Sequence, residues 1–124
     1  MPAVVAAKLL TAEEFGCIID PPGLHTELVR GTIITTPPAK TKHGFRAGNI
    51  DFSLKTFSRA HKLGITTGEG GYVLARNPDT VRGPDSAFIS AARVPAGGLP
   101  EDEYFEGAPD LHGYSHTKRP RSFY

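Results

Sequence analysis

The amino-acid sequence predicts an α+β fold built around a mixed sheet. A capped helix start is followed at once by a hairpin signal, one long helical periodicity fills the middle, and several short β-rich runs come after it. Fourteen Gly and eleven Pro punctuate these pieces, which argues for many turns and against a helical bundle. With 124 residues, 39% hydrophobic and 22% charged, the chain fits one globular domain with a modest core.

The first element is a short helix. Thr11 and Glu14 have the spacing of a capping box, in which each side chain satisfies the other residue's backbone N–H. Leu10 and Phe15 stand where a hydrophobic staple would place them. The helix is expected to run to about Ile18, with Cys17 buried in it and inert, and Asp20-Pro21-Pro22-Gly23 ends it.

Glu27–Val29 and Thr32–Thr36 are rich in β-branched residues and flank Arg30-Gly31, so a hairpin with Gly31 at the positive-φ position follows. Pro37 and Pro38 stop the second strand. From about Gly44 to Lys62, Ala47, Ile50, Leu54 and Phe57 recur at helical spacing, predicting one buried stripe. Arg46, Lys55, Arg59 and Lys62 fall mostly off it, and Leu63-Gly64 is the expected stop.

Three extended pieces complete the pattern. Ile65–Thr67 leads into the flexible Gly68-Glu69-Gly70-Gly71, which lacks the Lys-Ser/Thr ending and following helix of a phosphate loop. Tyr72–Ala75 reads as a strand and Asn77-Pro78-Asp79 as its turn. Asp85–Ile89 reads as a further strand, with Asp85, Ala87 and Ile89 on one face and Ser86 and Phe88 on the other.

Charge segregates near the end. Between Gly98 and Leu111 every charged residue is acidic, and from His112 to Tyr124 every charged residue is basic. The second stretch lacks periodicity and aliphatic residues and reads as a disordered tail. His112 and His116 are four apart, but Gly113 and the lack of nearby carboxylates argue against a metal pair. Net charge is +1, so attraction of nucleic acid has to be local. The single cysteine excludes an intrachain disulfide and suits a reducing compartment. The apolar run Pro2–Ala7 is too short for a membrane span and has no basic segment ahead of it, so the cytoplasm is expected.

The residues that could carry chemistry centre on Gly83-Pro84-Asp85. A rigid proline can present an acidic side chain at the head of a strand with little ordering cost. Phosphodiester hydrolysis draws on a hard cation to activate water and offset charge. Mg²⁺ takes oxygen ligands, commonly one or two carboxylates with waters, so one Asp can be half of such a site. The competing reading is an ordinary Pro-Asp turn. Glu27 is a candidate to join Asp85 across the sheet, against a role in steadying the hairpin. His43 at the entry to the long helix could touch a phosphate, and Arg46, Lys55, Arg59 and Lys62 could line a nucleic-acid backbone, against a solvated helix face.

Several words of the sequence, in this order, resemble the Uma (type 2) restriction-endonuclease family of the PD-(D/E)XK nuclease superfamily. They are Lys8–Phe15, Thr26–Gly31, Pro37-Pro38 with His43-Gly44, Ala47–Ile50, Asn77–Asp85 with Ala87–Ile89, and Tyr104–Leu111. The resemblance implies a restriction-endonuclease-like mixed sheet with flanking helices, Asp85 as the first acidic metal ligand, Mg²⁺ as cofactor and DNA as substrate. A homodimer is left open.

The family pattern runs on from Asp110-Leu111 into an apolar strand with a Glu, the second ligand, and then a helix with an active-site Lys. Here His112-Gly113-Tyr114-Ser115-His116 follows instead, with Tyr114 about where that Glu belongs, and Thr32 replaces the usual acid after the hairpin glycine. Residues 1–111 are therefore expected to be a C-terminally incomplete nuclease domain and 112–124 a basic tail foreign to the family, as a frameshift would produce. An inactive endonuclease fragment is the leading expectation. The alternatives are a non-catalytic DNA-binding or interaction remnant and a poorly folded pseudogene product.

Overall fold

The computed structural model describes residues 8–113. Helix α1 covers Ala12–Gly16, and its capping box forms: Glu14 N–H donates to Thr11 Oγ1 at 3.1 Å and Thr11 N–H to Glu14 Oε1 at 3.0 Å. It ends before the expected Ile18, with Cys17 as its C-cap. Cys17 is exposed rather than buried, because the helix closes one residue before it.

Strands β1 (His25–Val29) and β2 (Thr32–Thr36) pair antiparallel, with Val29 opposite Thr32. Both loop residues have positive φ, Arg30 at 50° and Gly31 at 79°, the twist that a two-residue hairpin favours.

Helix α2 covers Thr41–His61, so it starts ahead of the expected Gly44. It stops on Lys62 in the left-handed conformation (φ 53°, ψ 43°), not on Gly64. Its buried side also differs from the apolar stripe. Ser58 is buried and Ala47, Asp51 and Leu54 are half-buried, whereas Ile50 and Phe57 are 48% and 56% exposed. The reason is close packing. Ser58 Oγ donates to the Gly64 carbonyl at 3.1 Å, and a Cβ on Gly64 would lie 2.1 Å from the Ile89 carbonyl oxygen. Only a small side chain fits where the helix turns back onto the sheet.

The remaining strands are β3 (Gly64–Thr67), β4 (Tyr72–Ala75), β5 (Thr80–Arg82), β6 (Ser86–Ser90), β7 (Phe105–Glu106) and β8 (Leu111–Gly113), with a 3-10 turn at Ala91–Arg93. They form two sheets. The first has the order β2-β1-β5-β4-β7 and is mixed, since β4 and β7 run parallel. The second is β3-β6-β8, antiparallel throughout and covered by α2. The expected tail boundary after Leu111 falls inside β8, where His112 pairs with Ala87 and Gly113 with Ser86. The rest of that expected tail, 114–124, lies outside the described residues.

Two apolar clusters hold these layers. Ala12, Phe15, Leu28, Val73 and Val81 pack α1 onto the five-stranded sheet. Tyr72, Ala87 and Ile89, with Ile65, Leu74, Val94 and Phe105 against them, join the two sheets. An ionic pin closes the α1 side: buried Asp79 accepts from Ala12 N–H at 2.8 Å, Asn77 N–H at 3.1 Å and Arg76 Nη1 at 2.9 Å. Arg76 also binds Glu13 and Glu106, tying α1, the β4–β5 turn and β7 together.

Candidate functional site

Gly83-Pro84-Asp85 is the crossover between the two sheets, leaving β5 of one and entering β6 of the other. Three contacts fix it. Pro84 is fully buried. Gly83 N–H donates to Glu27 Oε2 at 2.8 Å, and Asp85 N–H donates to the Gly113 carbonyl at 3.1 Å. Gly83 also runs close to the preceding loop, since a Cβ there would stand 3.4 Å from the Gly70 carbonyl oxygen. Asp85 is half-buried at the head of β6, beside the end of β8.

Glu27 does approach this crossover, through the backbone. Its Oε1 lies 3.4 Å from Arg82 Nη2, and both side chains are almost completely buried. The carboxylate therefore holds the Arg82-Gly83 segment from β1. In β6, Ser86 Oγ donates to Asp51 Oδ1 at 3.4 Å, a contact that the sequence reading missed. Its signal was the one acidic residue inside an otherwise basic helix. His43 sits half-buried in the first turn of α2, and Arg46 is exposed one turn further on.

No three His, Cys, Asp or Glu side chains among the described residues converge so as to hold a metal ion. On their own, those residues do not fit the oxygen-rich shell that Mg²⁺ takes. A cavity of about 180 Å³ borders the Gly68–Gly71 loop, lined by Thr67, Gly70, Tyr72, Glu103, Tyr104 and Phe105 among others. Asp85 does not line it. Within it the Tyr72 and Thr67 hydroxyls are 2.5 Å apart, and burial pushes the Tyr72 phenol above its ordinary value of 10.0. Further along, Asp110 accepts Ser90 N–H at 2.7 Å and pairs with Arg93 at 3.1 Å. Those contacts, the Ser90 N–H first, hold its carboxyl below the ordinary 3.8.

The family model Uma2, described as "Putative restriction endonuclease", matches residues 12–112 of the sequence. The chain belongs to the Uma2 family. The match runs from the start of α1 into β8 and includes Glu27, Asp51 and the Gly83-Pro84-Asp85 crossover. Among solved structures it is similar to a "putative nuclease belonging to DUF820" from Anabaena variabilis ATCC 29413, with a TM-score of 0.66 and 19% identity. The likeness covers 83% of this chain and 56% of that one, so the two share the fold, and this chain spans little more than half of that nuclease. None of the curated proteins matches. Among the described residues, no helix is long and apolar enough to cross a membrane.

Proposed function

We propose that this Uma2 domain is part of a metal-dependent DNA endonuclease and that Asp85 is one acidic ligand of its divalent cation, Mg²⁺ by resemblance. The observation that carries the reading is the crossover. A strand-head carboxylate is held between two sheets by a buried proline, by Glu27 on Gly83 and by its own N–H on β8. A ligand held that firmly loses little further entropy on binding a cation. Glu27 then acts as a positioning residue for the loop. A direct share in the cation would require its carboxylate to leave Arg82 and Gly83.

Because no three His, Cys, Asp or Glu side chains converge among the described residues, the isolated chain is expected to bind cations weakly and to cleave DNA negligibly. The reading is tested by titrating Mn²⁺ into the chain and its Asp85→Asn variant while following a plasmid nicking assay with Mg²⁺ or Mn²⁺. Weak, roughly millimolar Mn²⁺ binding that Asp85→Asn removes is expected, typical of a site with few carboxylates. Binding unchanged in Asp85→Asn would overturn the ligand assignment. Robust nicking abolished by that substitution would overturn the inactivity.

A further inference from the structure

We propose that the solvent face of α2 is a stacking platform for single-stranded nucleic acid, one that reads no sequence. This rests on the nucleic-acid half of the proposed function and is independent of a cation at Asp85.

The face has two features that packing does not explain. Phe45 and Phe52 are 62% and 72% exposed, each far more open than a phenylalanine left over from a core. They stand two helical turns apart on the side opposite Ala47, Leu54 and Ser58, roughly 10 Å from one another along the axis. Lys42, Arg46, Lys55 and Arg59 lie along the helix on either side of them, and Lys40 and Lys62 cap its two ends. None of these six cations is in an ion pair among the described residues, whereas Lys8, Arg76, Arg82 and Arg93 each are. The one acid of the helix, Asp51, is turned toward Ser86. On a chain of net charge +1, this gathers unpaired positive charge along one helix and both flanks of the two rings.

The complement of such a face is a flexible polyanion with exposed π surfaces. Unpaired bases stack on aromatic side chains, while cations beside them track the phosphates. Bases in a duplex are already stacked and offer no ring face to Phe45 or Phe52. Exposed Asn49, Ser53 and Thr56 interleave with the two rings and can hydrogen-bond to sugar or base edges. They also break the continuous apolar side that an interfacial membrane helix needs.

Binding is read by fluorescence anisotropy of a labelled oligothymidylate of about sixteen nucleotides, in EDTA so that no cleavage enters, with the matching duplex as competitor. Single strands should be preferred. The slope of log K against log salt should be about −2 to −4, on about −0.7 for each phosphate neutralised by three to six cations. Replacing both Phe45 and Phe52 with Ala should weaken binding roughly thirty-fold or more with the helix intact by circular dichroism. Absence of binding at low salt, preference for duplex, or indifference to the double substitution would overturn the inference. So would phosphatidylserine vesicles bound in place of the oligonucleotide, or sedimentation showing that the Phe45 and Phe52 face is buried in a dimer. A loss of Mn²⁺ binding on Asp85→Asn with oligonucleotide binding absent would sink this inference and leave the proposed cation ligand standing.

Discussion

The carboxylate of Glu27 accepts the Gly83 N–H at 2.8 Å, reaching from the first hairpin to the crossover that presents Asp85. The same carboxylate faces the buried Arg82 guanidinium at 3.4 Å, so one side chain neutralises a charge and sets the path of the backbone ahead of Asp85.

Removing that carboxylate should be expensive. Glu27→Ala strips the charge partner from a guanidinium that is 4% exposed, and losing one member of a buried pair costs about 3–5 kcal/mol. Glu27→Gln keeps an acceptor for Gly83 and is expected to cost clearly less. Urea melts of the two variants make the comparison, and equal losses would show that charge dominates over loop anchoring.

Asp79 should govern part of the acid stability. The Ala12 N–H, then the Asn77 N–H and Arg76, hold its carboxyl below the ordinary 3.8. A depressed folded-state pKa means that the unfolded chain binds more protons in that window. The stabilisation is complete above the ordinary value and drains away as pH falls below it through the folded value. Asp79→Asn is expected to flatten the stability curve below about pH 4. Asp79→Ala should cost about 2–3 kcal/mol at neutral pH. Thermal melts across that range check both statements.

Gly31 is expected to resist substitution. Its φ is 79°, and a Cβ there would stand 2.7 Å from the Leu9 Cβ. The left-handed backbone alone costs a side chain about 1–2 kcal/mol, and the contact adds to it. Gly31→Ala should therefore lower the urea midpoint, while Gly23→Ala, also at positive φ but in open space, should lower it less.

Divalent cations should matter little to folding of this chain. A ligand present at its dissociation constant stabilises by only about 0.4 kcal/mol. For a weak site at Asp85, millimolar Mg²⁺ is expected to raise the melting temperature by less than about 3 °C, and EDTA to reverse it. A rise of 10 °C would reveal a complete site.

Local signals account for what is legible in the sequence. Thr11 and Glu14 meet within one turn, Arg30-Gly31 closes strands on either side of it, and the chain from Thr41 to His61 propagates by its own hydrogen bonds. The Uma2 words run through those elements and on through the β4–β5 turn into β6, which made Asp85 legible as a candidate and its strand legible from Ser86 to Ile89.

Which surfaces meet was decided by the tertiary structure. Thr80–Arg82 is too short to announce itself as a strand and becomes one because Leu28 and Val73 pair with Val81 on either side. Ile50 and Phe57 looked like core residues, but the close approach of α2 to Gly64 selected Ser58 and left both about half exposed to water. Glu27 looked like a partner for Asp85 in a cation site, and the fold set it against Arg82 and Gly83 instead. Hydrogen bonds within a few residues are encoded by their spacing alone. Packing between distant segments depends on which small residue lets two backbones touch, and that is settled only when the chain has folded.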